Sequence, residues 1–141
     1  MNSIVRNLLA VVAGFVIGSV VNFGLVSVGV VVVPLPEGAD VTTAEGMRES
    51  MELFTPANFL FPFLAHALGT LAGAFVAAKL AVSRQMTLAV VIGAFFLLGG
   101  ITMVVLAGGP MWFIAADLVL AYIPMGLLGG KLAGGNRSQA A

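Results

Sequence analysis

Four long apolar segments run through this chain of 141 residues, covering about residues 8–33, 58–81, 86–107 and 111–132. A helix that spans a bilayer needs about 20 predominantly apolar residues, and all its backbone hydrogen bonds can form within the segment. Short breaks such as 83–85 and 108–110 join antiparallel neighbours. We therefore predict an all-α, polytopic four-transmembrane-helix bundle that forms a single domain over residues 1–141.

Composition supports membrane insertion. The chain is 60% hydrophobic and 9% charged, whereas a soluble domain carries about 25% charged residues. The formal net charge is zero, so electrostatics does not indicate a nucleic-acid partner; the lipid bilayer is the expected partner. The chain has no cysteine, which excludes disulfides, thiolate metal sites and thiol catalysis. We expect no cofactor.

The basic residues predict the orientation. One basic residue, Arg48, falls on the side of the long connection at residues 34–56, and the others fall on the side of the chain termini. By the positive-inside rule, both termini are cytoplasmic and the first segment, too long for a signal peptide and without a clear cleavage site, is retained. The residues on the terminal side are Arg6, Lys79, Arg84, Lys131 and Arg137.

The connection at residues 34–56 is acidic and predicts a short amphipathic helix. Thr42 and Glu45 fit a capping box, and apolar residues then recur at helical spacing until about residues 55–56. We interpret the acids as a solvated helix face; a vestibule that gathers cations is the alternative. The acids are Glu37, Asp40, Glu45, Glu49 and Glu52.

Two internal patterns concern helix packing. Residues 11–29 align with 90–108 and residues 65–81 with 117–133, which indicates two helical-hairpin repeats. Small residues also recur every four positions, a spacing that allows close helix contact. Packing within the monomer is favoured; a homodimer or a partner membrane protein is the alternative. The residues predicted to pack are Gly14, Gly18, Gly69, Gly73, Gly126 and Gly130.

Four polar residues inside the apolar segments form the candidate site: Asn22, His66, Asp117 and Tyr122. Polar groups at membrane depth are costly and are often functional. At about 1.5 Å per residue, His66 and Asp117 lie roughly 12 Å and 9 Å from the outer ends of their helices. The four side chains converge if the first, second and fourth segments surround one cavity.

A carboxylate beside an imidazole can relay a proton, bind a cation or hold a polar headgroup; a structural lock between helices is the equally weighted alternative. We predict no metal site, because one histidine and one aspartate are too few ligands. We also predict no catalytic residues, since no hydrolytic motif is present. Pro124 is expected to kink the fourth segment, and Trp112 is expected to anchor it at the membrane interface.

The chain also resembles a widespread group of small, uncharacterised bacterial four-span inner-membrane proteins. The stretches that carry the resemblance are PLPEGADVTTAEGM, FPFLAHALGTLAGAFVAAKLA and WFIAADLVLAYIPMGLLGGKLA. The resemblance extends over nearly the full length. It implies the topology and a bacterial inner-membrane location, and it implies no activity.

These observations favour a small, non-enzymatic membrane protein that transports or binds a ligand through an outward-facing polar cavity. The ligand class is a proton, a cation or an amphipathic molecule. An accessory subunit that docks a partner through its glycine-rich helix faces is the second hypothesis. A membrane enzyme that acts on lipid or quinone is the least favoured.

Overall fold

The computed structural model describes residues 2–135, and the regular structure in that part of the chain is helical throughout. Four helical stretches are long and apolar enough to cross a membrane, which confirms the prediction of four such helices. The helices are α1 Ser3–Val32, α2 Ala44–Ser50, α3 Leu60–Leu80, α4 Gln85–Ala107, α5 Met111–Leu120 and α6 Ile123–Leu132, with 3-10 turns at Met51–Leu53 and Pro56–Phe59.

Helix α3 lies at the centre of the bundle and packs against α1, α4 and α6. The contact with α1 is made by backbone atoms, and we call the residues Gly14, Gly18, Gly69 and Gly73 the glycine seam. A Cβ atom at position 14 would lie 2.5 Å from the carbonyl oxygen of Gly73, and one at position 18 would lie 2.7 Å from that of Gly69. Helices approach this closely only where side chains are absent.

The other two predicted packing glycines join α6 to α4. A Cβ atom at Gly126 would lie 3.1 Å from the carbonyl oxygen of Ala89, and one at Gly130 would lie 2.8 Å from the Ala89 methyl group. All six glycines therefore face neighbours within the chain. The opposite side of α1 exposes large apolar residues instead; Phe23 is 74% exposed.

The connection between α1 and α3 contains the short helix α2. Thr43 caps this helix by accepting a hydrogen bond from the Gly46 amide at 3.0 Å. The predicted cap, Thr42, lies one residue too early: its hydroxyl and its amide both donate to the Asp40 carboxylate, at 2.6 and 2.9 Å. Because Asp40 engages Thr42, the next threonine becomes the cap.

Arg48 of α2 caps the far end of another helix. Its Nε donates to the carbonyl oxygen of Leu106 at 3.1 Å and its Nη2 to that of Val105 at 2.8 Å. The last carbonyls of a helix have no partner within the helix and carry partial negative charge. The guanidinium therefore satisfies the end of α4 and fastens α2 to it.

The fourth apolar segment is two helices rather than one. Helix α5 ends at Leu120, and α6 begins at Ile123 with Pro124 in its first turn. Proline has no amide hydrogen, so Pro124 cannot donate to the carbonyl of Leu120. The predicted kink is thus an interruption, and it places Tyr122 between the two helices.

Candidate functional site

The structure brings three of the four predicted site residues together near the connection end of the bundle. His66 lies on α3, Asp117 on α5, and Tyr122 in the interruption between α5 and α6. His66 Nδ1 lies 2.8 Å from Asp117 Oδ1, and the Tyr122 hydroxyl donates to Asp117 Oδ2 at 2.9 Å. We call these three residues the polar cluster.

Asp117 is enclosed by its partners. The residue is 4% exposed, and each carboxylate oxygen has one hydrogen bond from the cluster. A buried carboxylate is costly unless hydrogen bonds satisfy it. The two bonds therefore account for its burial, because each carboxylate oxygen has a hydrogen-bond partner.

His66 has one ring nitrogen, Nε2, that is available as a hydrogen-bond acceptor. Since Nδ1 faces a carboxylate, Nδ1 carries the proton in the neutral imidazole and Nε2 is an acceptor. Within residues 2–135, Nε2 makes no hydrogen bond, yet it is not among the fully buried side-chain atoms that lack a partner. The side chain is 24% exposed. Nε2 is thus the accessible polar atom of the cluster.

Tyr122 fixes the position of the ring. It is 1% exposed, and its ring stacks on that of His66 with centroids 5.7 Å apart. Its hydroxyl rests on Gly100 of α4, where an added Cβ atom would collide with it. Gly100 was not among the predicted packing residues, because it lies outside the series of small residues that recur every four positions.

Asn22 does not join the polar cluster through a hydrogen bond. Its backbone and Cβ lie against Gly69 of α3, 3.4 and 3.0 Å from where a Cβ at that position would be. Asn22 follows Gly14 and Gly18 at the same four-residue spacing, so it faces α3 as part of the α1 contact. Asp117 approaches His66 from α5, and Tyr122 approaches it from the interruption between α5 and α6.

Thr70 lies one helical turn beyond His66 on α3. It is fully buried, and its Oγ1 is the buried side-chain polar atom without a hydrogen-bond partner among residues 2–135. A buried hydroxyl without a partner lowers stability. Thr70 is therefore a weak point beside the cluster.

An aromatic groove of about 340 Å³ opens where α3 and α5 begin. Its inner boundary includes Phe63, three residues before His66, and Ala116, the residue before Asp117. Phe59 packs on Phe113 and Trp112 with centroids 4.7 and 5.5 Å apart. None of the four predicted site residues lines this groove.

The acidic connection does not build a metal centre in the described residues. No group of three His, Asp or Glu side chains in residues 2–135 could hold a metal ion. Asp40 serves the loop itself: the hydrogen bond from the Thr42 hydroxyl, followed by that from the Thr42 amide, lowers the pKa of Asp40 below its usual range.

Comparisons with protein-family models, curated proteins and solved structures found no match to this chain.

Proposed function

We propose that this protein binds a ligand dissolved in the membrane through Nε2 of His66. The main support is that the two imidazole nitrogens have different surroundings. Nδ1 is hydrogen-bonded to the buried Asp117, whereas Nε2 is accessible and without a partner among residues 2–135. A carboxylate on Nδ1 fixes the tautomer and the orientation of the ring. The other nitrogen is then a preorganised hydrogen-bond acceptor.

The setting is a bacterial inner membrane, with the connection end of the bundle outside and both termini in the cytoplasm. The large apolar residues exposed on α1, including Phe23, support contact with lipid. Arg6, Lys79 and Arg84 lie at the terminal end, which supports the orientation; Arg137, also assigned to that end, lies outside the described residues. The resemblance to small bacterial membrane proteins agrees with this location and is itself a proposal.

Two hairpin repeats are part of the same proposal. Gly14 of α1 packs on α3 near Gly73, and the aligned glycine, Gly93 of α4, packs on α6 near Gly126. Both contacts are made with helices that the sequence aligns with each other. This supports duplication of one hairpin, with the polar cluster formed between the two copies.

Packing favours binding over a polar path across the membrane. Beyond Thr70, toward the terminal end, the core consists of apolar side chains, most of them alanine. The next titratable residue on α3 is Lys79 in the last turn, roughly 20 Å from His66 along the helix. The core residues are Ala74, Ala77, Ala78, Ala89 and Ile92.

Packing also weighs against the accessory-subunit hypothesis in its stated form. The glycine faces that were to dock a partner contact α1, α3, α4 and α6 of the same chain. Partner docking through those faces would require these helices to separate.

The test is ligand retention by the full chain purified from bacterial membranes and measured by native mass spectrometry. We expect wild-type protein to retain a small apolar molecule and His66→Asn to retain at least tenfold less. Asparagine can place an amide N–H near the position of Nδ1, facing Asp117, but has no atom at the position of Nε2. The matched control is Asn22→Ala, which should retain the molecule as wild type does.

Equal retention by His66→Asn and wild type would refute binding through Nε2. No retention by wild type, even after incubation with a total bacterial membrane-lipid extract, would refute ligand binding altogether.

A further inference from the structure

We propose that the ligand is a neutral amphiphile of the phenol class, whose ring occupies the aromatic groove and whose hydroxyl donates to His66 Nε2. This inference rests on the proposed function and specifies its substrate class. It joins two features that lie within one turn of each other on α3, the imidazole of His66 and the groove whose lining includes Phe63, and the groove residue Ala116 directly precedes Asp117 on α5.

The walls of the groove select against charged molecules. Its lining has no charged side chain, and four of its members are aromatic. A charged head would lose its hydration there without a compensating partner. Asp117 is buried and does not line the groove, so it does not face a cation bound there. Arg48 is engaged by the carbonyls of α4 and does not line this groove. The aromatic members are Phe59, Phe63, Trp112 and Phe113.

Because Nε2 accepts a hydrogen bond, the site selects a ligand that carries a hydrogen-bond donor. Asp117 holds the Nδ1 proton, so Nε2 of the neutral ring accepts. A hydroxyl can donate to it, whereas an ether or ester oxygen cannot. An apolar groove beside a single fixed acceptor therefore favours a flat ring that carries an O–H group.

The distances are compatible with one ring. The groove extends to Phe63, three residues before His66, and this corresponds to a rise of roughly 4.5 Å along α3. In the proposed pose, the hydroxyl of a ring that lies beside Phe63 spans this rise to meet Nε2. The groove volume of about 340 Å³ accommodates such a ring with part of its alkyl tail.

Two residues that occur once in the chain report the two halves of the site. His66 is the one histidine and Trp112 the one tryptophan, so a ¹⁵N-imidazole resonance and the indole fluorescence each have a single source. The probe is 4-butylphenol, added to the full chain in nanodiscs of synthetic lipid at neutral pH. We expect a saturable shift of the Nε2 resonance and a parallel change in fluorescence.

Three comparison probes, matched for concentration in the bilayer, define the chemistry. We expect 4-butylanisole, which lacks the donor, to bind at least tenfold more weakly. The anionic 4-butylbenzoate and the cationic 4-butylbenzylammonium should produce no saturable shift. Equally tight binding of either charged probe would overturn the neutral head, and equally tight binding of the ether would overturn the donor.

Two variants at adjacent residues test whether the ring binds in the aromatic groove. Ala116 lines the groove, whereas Ala115 is exposed and does not line it. Ala116→Leu should fill the groove and weaken 4-butylphenol binding at least tenfold, and Ala115→Leu should leave it unchanged. Both variants add the same apolar side chain to α5, so a folding defect caused by leucine itself would appear in both.

The outcomes separate this inference from the proposed function. If the lipid extract shifts the Nε2 resonance but 4-butylphenol does not, the phenol class is wrong and ligand binding stands. If 4-butylphenol shifts the Nε2 resonance but does not change the fluorescence, and Ala116→Leu does not weaken binding, the ring does not bind in the groove. If neither addition shifts Nε2, both proposals fail.

Discussion

Helix α3 takes part in two contacts of opposite character. Along the glycine seam it meets α1 through backbone atoms, and the spaces that would hold side chains are filled by carbonyl oxygens. At the polar cluster it meets Asp117 of α5 through the His66 hydrogen bond of 2.8 Å and Tyr122 through stacked rings with centroids 5.7 Å apart.

The difference teaches which part of the bundle is able to change. A backbone contact has no alternative rotamers, so any added atom must separate the helices. A side-chain contact can be remade: the imidazole keeps one nitrogen free, and a groove of about 340 Å³ opens nearby. The glycine seam thus holds the scaffold together, and the polar cluster is the part suited to binding.

Breaking the glycine seam should have the largest effect. In Gly14→Ala the new methyl group would lie 2.5 Å from the carbonyl oxygen of Gly73. We expect a loss of about 1–3 kcal/mol in the free energy of unfolding, the range for overpacking a close contact. Reversible unfolding by SDS in mixed micelles, followed by circular dichroism, measures it.

Gly24→Ala is the matched control on the same helix, because a Cβ atom there meets nothing within 4 Å. It should be neutral or stabilising by up to about 1 kcal/mol, as expected when alanine replaces glycine in a helix. Equal effects of the two variants would contradict the close contact.

Removing one hydroxyl within the polar cluster and one beside it should have opposite effects on stability. Tyr122→Phe leaves Asp117 Oδ2 without its partner, and we expect a loss of about 1 kcal/mol. Thr70→Val removes a buried hydroxyl without a partner, and we expect a gain of up to about 1 kcal/mol. The same unfolding assay applies. Destabilisation by Thr70→Val comparable to that by Tyr122→Phe would show that Thr70 Oγ1 has a partner.

The smallest effect lies in the connection, outside both contacts. Hydrogen bonds from Thr42 lower the pKa of Asp40, so its ionised form stabilises the folded loop. This contribution is complete above the unfolded pKa, at about pH 4, and is lost as pH falls through the lower, folded value. The Thr42 amide resonance should therefore titrate below the usual aspartate range.

Asp40→Asn supplies the control for the titration. Its amide oxygen can still accept from Thr42, so the turn is retained while the titration disappears. A Thr42 resonance that titrates equally in both proteins would assign the effect to another acid.

The sequence predicts where the helices lie along the chain better than it predicts which face of each helix packs against which neighbour. Hydropathy alone identifies four long apolar helices. A helix that spans a membrane needs about 20 apolar residues, and a run of that length is easily recognised in the sequence. Similar depth also placed His66 and Asp117 in one region. Depth does not specify rotation, however, and Asn22 belongs to the α1 contact because it continues the spacing of Gly14 and Gly18.

Competition between neighbouring contacts explains two further differences between the predicted and the observed structure. Thr42 and Thr43 are both capable caps, and only the contacts of Asp40 with Thr42 leave Thr43 to cap α2. The position of Pro124 indicates a bend, but the interruption at residues 121–122 depends on how Tyr122 packs against His66 and Gly100. Such tertiary contacts leave no mark in local sequence patterns.

The Arg48 bonds have a consequence for biosynthesis. Arg48 leaves the ribosome 57 residues before Val105 and 58 before Leu106, the residues whose carbonyls it binds. The connection therefore cannot reach its final position while only the first two apolar segments have been made. Its folding must wait for the third segment to arrive, so Arg48 makes completion of the connection a late event in the assembly of the chain.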